Sequence, residues 1–211
     1  MKTKIGLLLI ALILGFTNLI AQDETKTEPE GELLGLPGDN LDLYATLDLF
    51  RKSRTIEEFE ASLNDEKTGI NNLDLNEDGD VDFIKVLSQQ DDDDYAFVLE
   101  IDVLKDEPQD VAVIYVSKNP DESLDLQIVG DELLYGDDYI IEPSVEDPTA
   151  TENPAYSGAD TVVVVLESDP IIQYIYSPVY VPYHCPYYYG YYPPYYRPYP
   201  IVSINIYVGR H

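Results

Sequence analysis

The chain holds a single cysteine, Cys185, among 211 residues. An intramolecular disulfide is therefore excluded, as is a lipid anchor on a processed N-terminal cysteine, and stability must come from a packed core and whatever metal it binds. No Asn-x-Ser/Thr sequon occurs, which suits a bacterial export route better than a glycosylating one. Positive charge is scarce: 12 Lys and Arg stand against 41 Asp and Glu, a formal net charge of -29. Such a chain repels phosphate backbones and anionic lipid, which argues against nucleic acid as a partner, and it attracts divalent cations.

What is present is unevenly placed. Lys2 and Lys4 precede the apolar run Ile5 to Phe16, and small or polar residues follow at Ala21-Gln22, the layout of a secretory signal. Residues 1–21 are expected to be removed on export, giving a secreted or periplasmic protein; a retained anchor is the competing reading, since Ile5 to Gln22 is nearly long enough to span a bilayer. At the other end, acids stop at Asp169, and 13 of the 19 tyrosines lie beyond residue 170 with only Arg197 and Arg210 as full charges.

Residues 22–40 are expected to be a flexible acidic leader, ending in a turn at Leu36 to Asn40 that delivers a helix cap. A helix is expected at about 41 to 52 from the spacing of Leu43, Tyr44, Leu47 and Phe50, with Asp39 and Asp42 at its start and Arg51, Lys52 and Arg54 at its end. A second starts at Thr55, where Thr55 and Glu58 match a capping box; Ile56, Phe59 and Leu63 form its stripe, and Lys67 and Gly69 are expected to close it. Strand formers follow at Phe83 to Ser88, at Tyr95 to Val103 in alternation, at Val111 to Val116 as a central strand, and at Leu124 to Ile128. A short element at Asp131 to Tyr135 and a strand-like Tyr139-Ile140-Ile141 end the unit. The pattern predicts an α+β domain over 41–142, two short N-terminal helices packed on an antiparallel β-meander. Residues 143–160 are expected to be a linker, and 161–211 a strand-like, Tyr/Pro-rich extended tail, with proline too dense for a continuous helix or sheet. Docking of this tail is expected at Ile171 to Tyr176 and, as a final strand, at Ile201 to Val208, with the tyrosines between them exposed.

The motif with specific chemistry is Asp74-Leu75-Asn76-Glu77-Asp78-Gly79-Asp80-Val81-Asp82. Calcium takes six to eight oxygens, and this loop offers them at alternate positions. Asp74, Asn76 and Asp78 supply side-chain oxygens, Asp80 its backbone carbonyl, and Asp82 a direct or water-mediated contact; Gly79 permits the turn and Val81 anchors it. The twelfth position, where an EF-hand carries its bidentate Glu, is Lys85, and a strand follows the loop. It thus resembles the calcium loops that precede a strand in integrin-type FG-GAP repeats more than a helix-loop-helix EF-hand. The missing Glu implies weak affinity, a dissociation constant on the order of 10⁻⁴ to 10⁻³ M.

Other candidates are weaker. Asp91 to Asp94 suits a solvated hairpin tip better than a second cation site, because successive carboxylates point to opposite sides of an extended chain. His184-Cys185 has no evident orienting partner, and no acid pair is singled out for general acid-base chemistry, so no catalytic residue is assigned. The combination of signal, acidic domain with one EF-hand-like or FG-GAP-like calcium loop, and Tyr/Pro-rich C-terminus resembles that of uncharacterised secreted proteins of Gram-negative bacteria. The expectation is a non-enzymatic exported protein with a structural calcium ion and a tail that meets an envelope, glycan or protein surface. The alternatives are an adhesion protein acting through the tail alone, and a calcium-dependent hydrolase.

Overall fold

A computed structural model describes residues 33–143 and 166–209. The expected signal, the linker from residue 144 and the strand candidate at Thr161 to Val165 lie outside the described residues.

The first helix, α1 (Leu43–Lys52), starts where the Asp42 carboxylate accepts the Ala45 N–H at 3.0 Å and ends on Arg51 and Lys52, cations at the negative end of the dipole. Helix α2 (Ile56–Leu63) is capped by Thr55, whose hydroxyl accepts the Glu58 N–H at 3.1 Å. The reciprocal half of the capping box is displaced by one residue: Glu58 accepts the N–H of Arg54 instead of that of Thr55. Nor do Lys67 and Gly69 close this helix. It stops at Leu63 because Asn64 leaves helical geometry and ties itself to Ile84, donating from Nδ2 to the Ile84 carbonyl and accepting the Ile84 N–H, each at 2.8 Å.

Five antiparallel strands follow in sequential order: β1 (Ile84–Asp91), β2 (Asp94–Leu104), β3 (Glu107–Lys118), β4 (Leu124–Gly130) and β5 (Ile140–Ile141), with a one-turn helix α3 (Glu132–Tyr135) before the last. The segment Val111 to Val116 is in the central strand, as its apolar character predicts. Asp91 pairs with Asp94, so Asp92 and Asp93 form the expected hairpin tip. Alternation sorts the two faces. Phe97, Ile114, Ile128 and Ile141 sit in register on the inner face, while Val98, Val113, Val129 and Ile140 make the opposite row.

The helices cover the inner face. Phe50 joins the layers: its ring meets Phe59 of α2 edge-on at 5.3 Å and Phe97 of β2 at 5.1 Å, and all three are fully buried. The architecture is therefore the expected α+β meander, with two differences at its ends. The turn expected at Leu36 to Asn40 is present, as a 3₁₀ turn over Pro37–Asn40, but it is packed against α3 where a flexible leader was expected, and the Tyr135 hydroxyl donates to the Leu41 carbonyl at 3.0 Å. The C-terminal part contributes helices where strands were expected. Helix α4 (Pro170–Ile175) packs on α1, burying Ile171, Ile172 and Ile175 in the common core, and Arg51 Nε contacts Asp169 Oδ2 at 2.7 Å. The second, α5 (Ile204–Val208), replaces the final strand and buries Tyr207. Proline at the first position of α4 is compatible with a helix, since the N–H it lacks has no intrahelical partner there.

Candidate functional site

The acidic loop is suspended between α2 and β1 by buried asparagines that act as substitute backbone. Asn71 donates from Nδ2 to the Asp82 carbonyl at 2.8 Å, and the Asp82 N–H donates to the Leu73 carbonyl at the same distance, closing the loop at its base. Val81 is buried, as its anchoring role predicts.

Within the loop, side-chain oxygens at alternate positions turn inward on backbone N–H groups. Asp74 accepts from Asp78 N and Gly79 N, each at 3.0 Å, and Asn76 Oδ1 accepts from Asp78 N at 2.8 Å. Asp78 accepts from Asp80 N at 2.9 Å. Asp82 accepts from Asn76 Nδ2 at 2.9 Å and from the Leu75 N–H. Gly79, at φ 92°, and Glu77, at φ 59°, supply the left-handed backbone for this curl. Four of the expected ligands, Asp74, Asn76, Asp78 and Asp82, are thus joined by side-chain bonds in one network, and Asp80 enters through its N–H. Among the described residues, no group of three or more His, Cys, Asp or Glu side chains is arranged to hold a metal ion. Burial pushes the Asp82 carboxyl up to about 6, opposed by the Leu75 N–H and reinforced by the charges of Asp74 and Asp78. Lys85 points away: it lies on the outer face of the sheet, 2.7 Å from both Glu100 and Asp102. Burial works against its charge, but the bonds to Asp102 and Glu100 outweigh it and hold the ammonium above its ordinary range.

The tyrosine-rich segment, residues 177–203, runs as a strap over β1 and the loop. Ser88 N donates to the Tyr183 carbonyl at 2.8 Å and Cys185 N to the Val86 carbonyl at 3.2 Å, so the strap adds a short antiparallel bridge to the edge of β1. Farther on, Val81 N donates to the Tyr199 carbonyl at 2.8 Å and Ile201 N to the Gly79 carbonyl at 3.2 Å, which pairs Pro200 with Asp80. Tyrosine hydroxyls complete the attachment: Tyr196 donates to the Val81 carbonyl, Tyr199 to the Asn71 carbonyl and Tyr207 to the Ile70 carbonyl. The middle of the segment is therefore docked as well as its ends. Tyr188, Tyr191 and Tyr195 remain more than half exposed, at 61%, 53% and 55%.

Sequence reasoning missed one acid, Glu60. It sits with Ile56, Phe59 and Leu63 on the buried side of α2, at 1% exposure. Its Oε2 accepts the Val86 N–H and its Oε1 the Tyr183 hydroxyl, each at 2.9 Å. Burial raises its carboxyl pKa, while hydrogen bonds from Cys185, Val86 and Tyr183 hold it down in part. The signal was available, since residue 60 falls at the i+4 position of the stripe begun by Ile56. Cys185 beside it is pushed up to about 12, by burial and then by the Glu60 charge, so it stays a thiol at neutral pH. His184, the preceding residue, is exposed and lines a 1030 Å³ cleft beside Gln89 and Gln90.

Among the described residues, surface clefts of 1030, 580 and 430 Å³ are lined by residues other than 74–82. Comparison with family models, with curated proteins and with solved structures finds no match, so function has to be argued from this chain's own residues.

Proposed function

We propose that this is a non-enzymatic exported protein in which a calcium ion at Asp74, Asn76, Asp78, Asp80 and Asp82 acts as a structural clip, and in which the tyrosine strap presents a contact surface. The observation that carries this reading is the attachment of the strap to the loop itself, at Gly79 and Val81. An ion that orders the loop would order the strap with it. Side-chain oxygens now spent on N–H groups of the loop would turn to the ion, relieving the repulsion among buried and neighbouring carboxylates. At ten times its dissociation constant the ion would add about 1.4 kcal/mol to stability. Thermal unfolding of the purified protein with millimolar calcium and with a chelator tests this: the melting temperature rises with calcium, and an unchanged value overturns the clip.

A second reading, adhesion to an envelope or matrix through the strap alone, draws support from the exposed tyrosines at 188, 191 and 195. Replacing them leaves melting unaltered in both readings. Retention at the cell surface that does not change in such a variant removes the contact surface and leaves the calcium clip to stand by itself.

A further inference from the structure

Two of the exposed tyrosines, Tyr188 and Tyr191, belong to a tight, braced turn. Tyr188 N donates to the Tyr191 carbonyl at 3.1 Å and Tyr191 N to the Tyr188 carbonyl at 2.8 Å, closing a two-residue reversal. Gly190 occupies the second corner at φ 76°, a conformation that a side chain would strain. Their rings are braced from within, Tyr191 lying 5.1 Å from Tyr188 and 5.7 Å from Tyr187. Beneath them Phe83 meets Tyr187, Tyr192 and Tyr196 at 6.4, 5.9 and 5.0 Å. Such a platform loses little conformational freedom when it is covered, which favours its use in binding.

Its electrostatic setting selects the partner. Tyr192 lies in the field of Asp82 and Asp78, and Tyr196 in that of Asp82 and Asp80. Glu77, Asp78 and Asp80 are exposed at this border. The neighbouring cation, Arg197, donates to the carbonyls of Pro194 and Tyr196 at 3.1 and 2.7 Å and is held on its own backbone. The whole chain carries a net charge of -29, and a calcium ion in the loop would cancel only part of the local charge. Tyrosine faces attract cations through the ring quadrupole, and carboxylates beside them add direct attraction. A neutral sugar would stack on the rings but gain nothing from this field, and anionic lipid would be repelled by it.

Building on the reading of the strap as a contact surface, we infer that the Tyr188 to Tyr195 platform docks a polypeptide segment bearing arginine or lysine. The guanidinium or ammonium groups lie over the tyrosine rings and reach the carboxylates of the loop. Each exposed ring contributes a factor of about two to five in affinity.

Calorimetric titration of the purified protein with a short Arg/Gly peptide tests the inference, with a neutral glucan oligomer and phosphatidylglycerol vesicles as the other arms. The variant Tyr188→Ala/Tyr191→Ala/Tyr195→Ala should keep its melting temperature and bind the peptide about ten- to hundredfold more weakly. Asp121→Asn/Glu122→Gln, at the tip of the β3–β4 hairpin, should leave the affinity within about a factor of two. Equal peptide binding by the tyrosine variant and the parent would mean that net charge alone is responsible, and would overturn the inference. Tyrosine-dependent binding of the glucan or the vesicles without the peptide would also overturn it, while leaving the contact surface in place. Cell-surface retention unchanged in the same variant would remove that surface itself.

Discussion

Asn72 and Val202 are bonded as two strand residues would be, although one partner is a side chain: Asn72 Nδ2 donates to the Val202 carbonyl at 3.0 Å, and Val202 N donates to Asn72 Oδ1 at 2.8 Å. Asn72 is 4% exposed, so these bonds are made largely out of water. Asn72→Ala leaves the Val202 N–H and C=O without their partner and is expected to cost about 2 to 3 kcal/mol. Urea unfolding measures it; a midpoint equal to that of the parent would mean that the strap contributes nothing at this point.

Tyr207 repeats the arrangement with a hydroxyl. It accepts the Asp42 N–H at 2.8 Å and donates to the Ile70 carbonyl, joining α5 to the start of α1 and to the segment before the loop. Tyr207→Phe keeps the ring and strands both partners, for an expected loss of about 1 to 3 kcal/mol in the same measurement. A loss confined to the last few residues, with amide protection of α1 intact, would count against this coupling.

Glu60 sets a pH dependence. Its folded-state pKa is raised from 4.5, with burial the leading cause. Between the unfolded and folded values the native protein holds a proton that the unfolded chain has released. The stabilisation is therefore complete below 4.5 and is lost as pH rises through the raised value. Glu60→Gln cannot ionise and lacks this component. Acidification from neutral pH toward pH 5 should stabilise the parent more than the variant; parallel stability profiles would show that Glu60 does not titrate differently on folding.

Calcium dependence should follow the loop. Asp74→Asn and Asp78→Asn each weaken the site and should reduce the calcium-induced rise in melting temperature, while melting in chelator changes little because both residues are at least partly exposed. Asp82→Asn relieves a buried charge but sets an amide NH2 against the Leu75 N–H or Asn76 Nδ2 that the carboxylate accepts, so it should melt no higher than the parent in chelator and respond less to calcium. A full calcium response in all three variants would place the ion elsewhere.

Period and capping were legible from the chain alone wherever neighbours in sequence make the contacts. Leu43, Leu47 and Phe50 mark α1, Thr55 marks the start of α2, and the alternation from Tyr95 to Val103 marks a strand with one wet face. The glycine and aspartates of residues 74–82 announce a curled loop for the same reason, since the bonds made within it span at most seven residues. Glu60 was obscured because an acid on a helix is ordinarily solvated, and the groups that make its burial tolerable are distant in sequence, among them Tyr183 and the Val86 N–H, 123 and 26 residues away.

The sequence by itself determined an α+β meander under two helices, its central strand, and the acidic loop with its glycine corner. Tertiary structure alone decided the fate of the tyrosine-rich segment. Proline density forbids a regular ladder, and composition cannot say whether the remaining carbonyl and hydroxyl groups meet water or protein. Here several of them meet protein: carbonyls of Ile70, Asn71, Gly79 and Val81 accept tyrosine hydroxyls or strap N–H groups, because the irregular segment between α2 and β1 does not pair these carbonyls within itself. A segment that composition marks as a tail is thereby bound to the loop, and two of its exposed tyrosines, Tyr188 and Tyr191, are held on one tight turn.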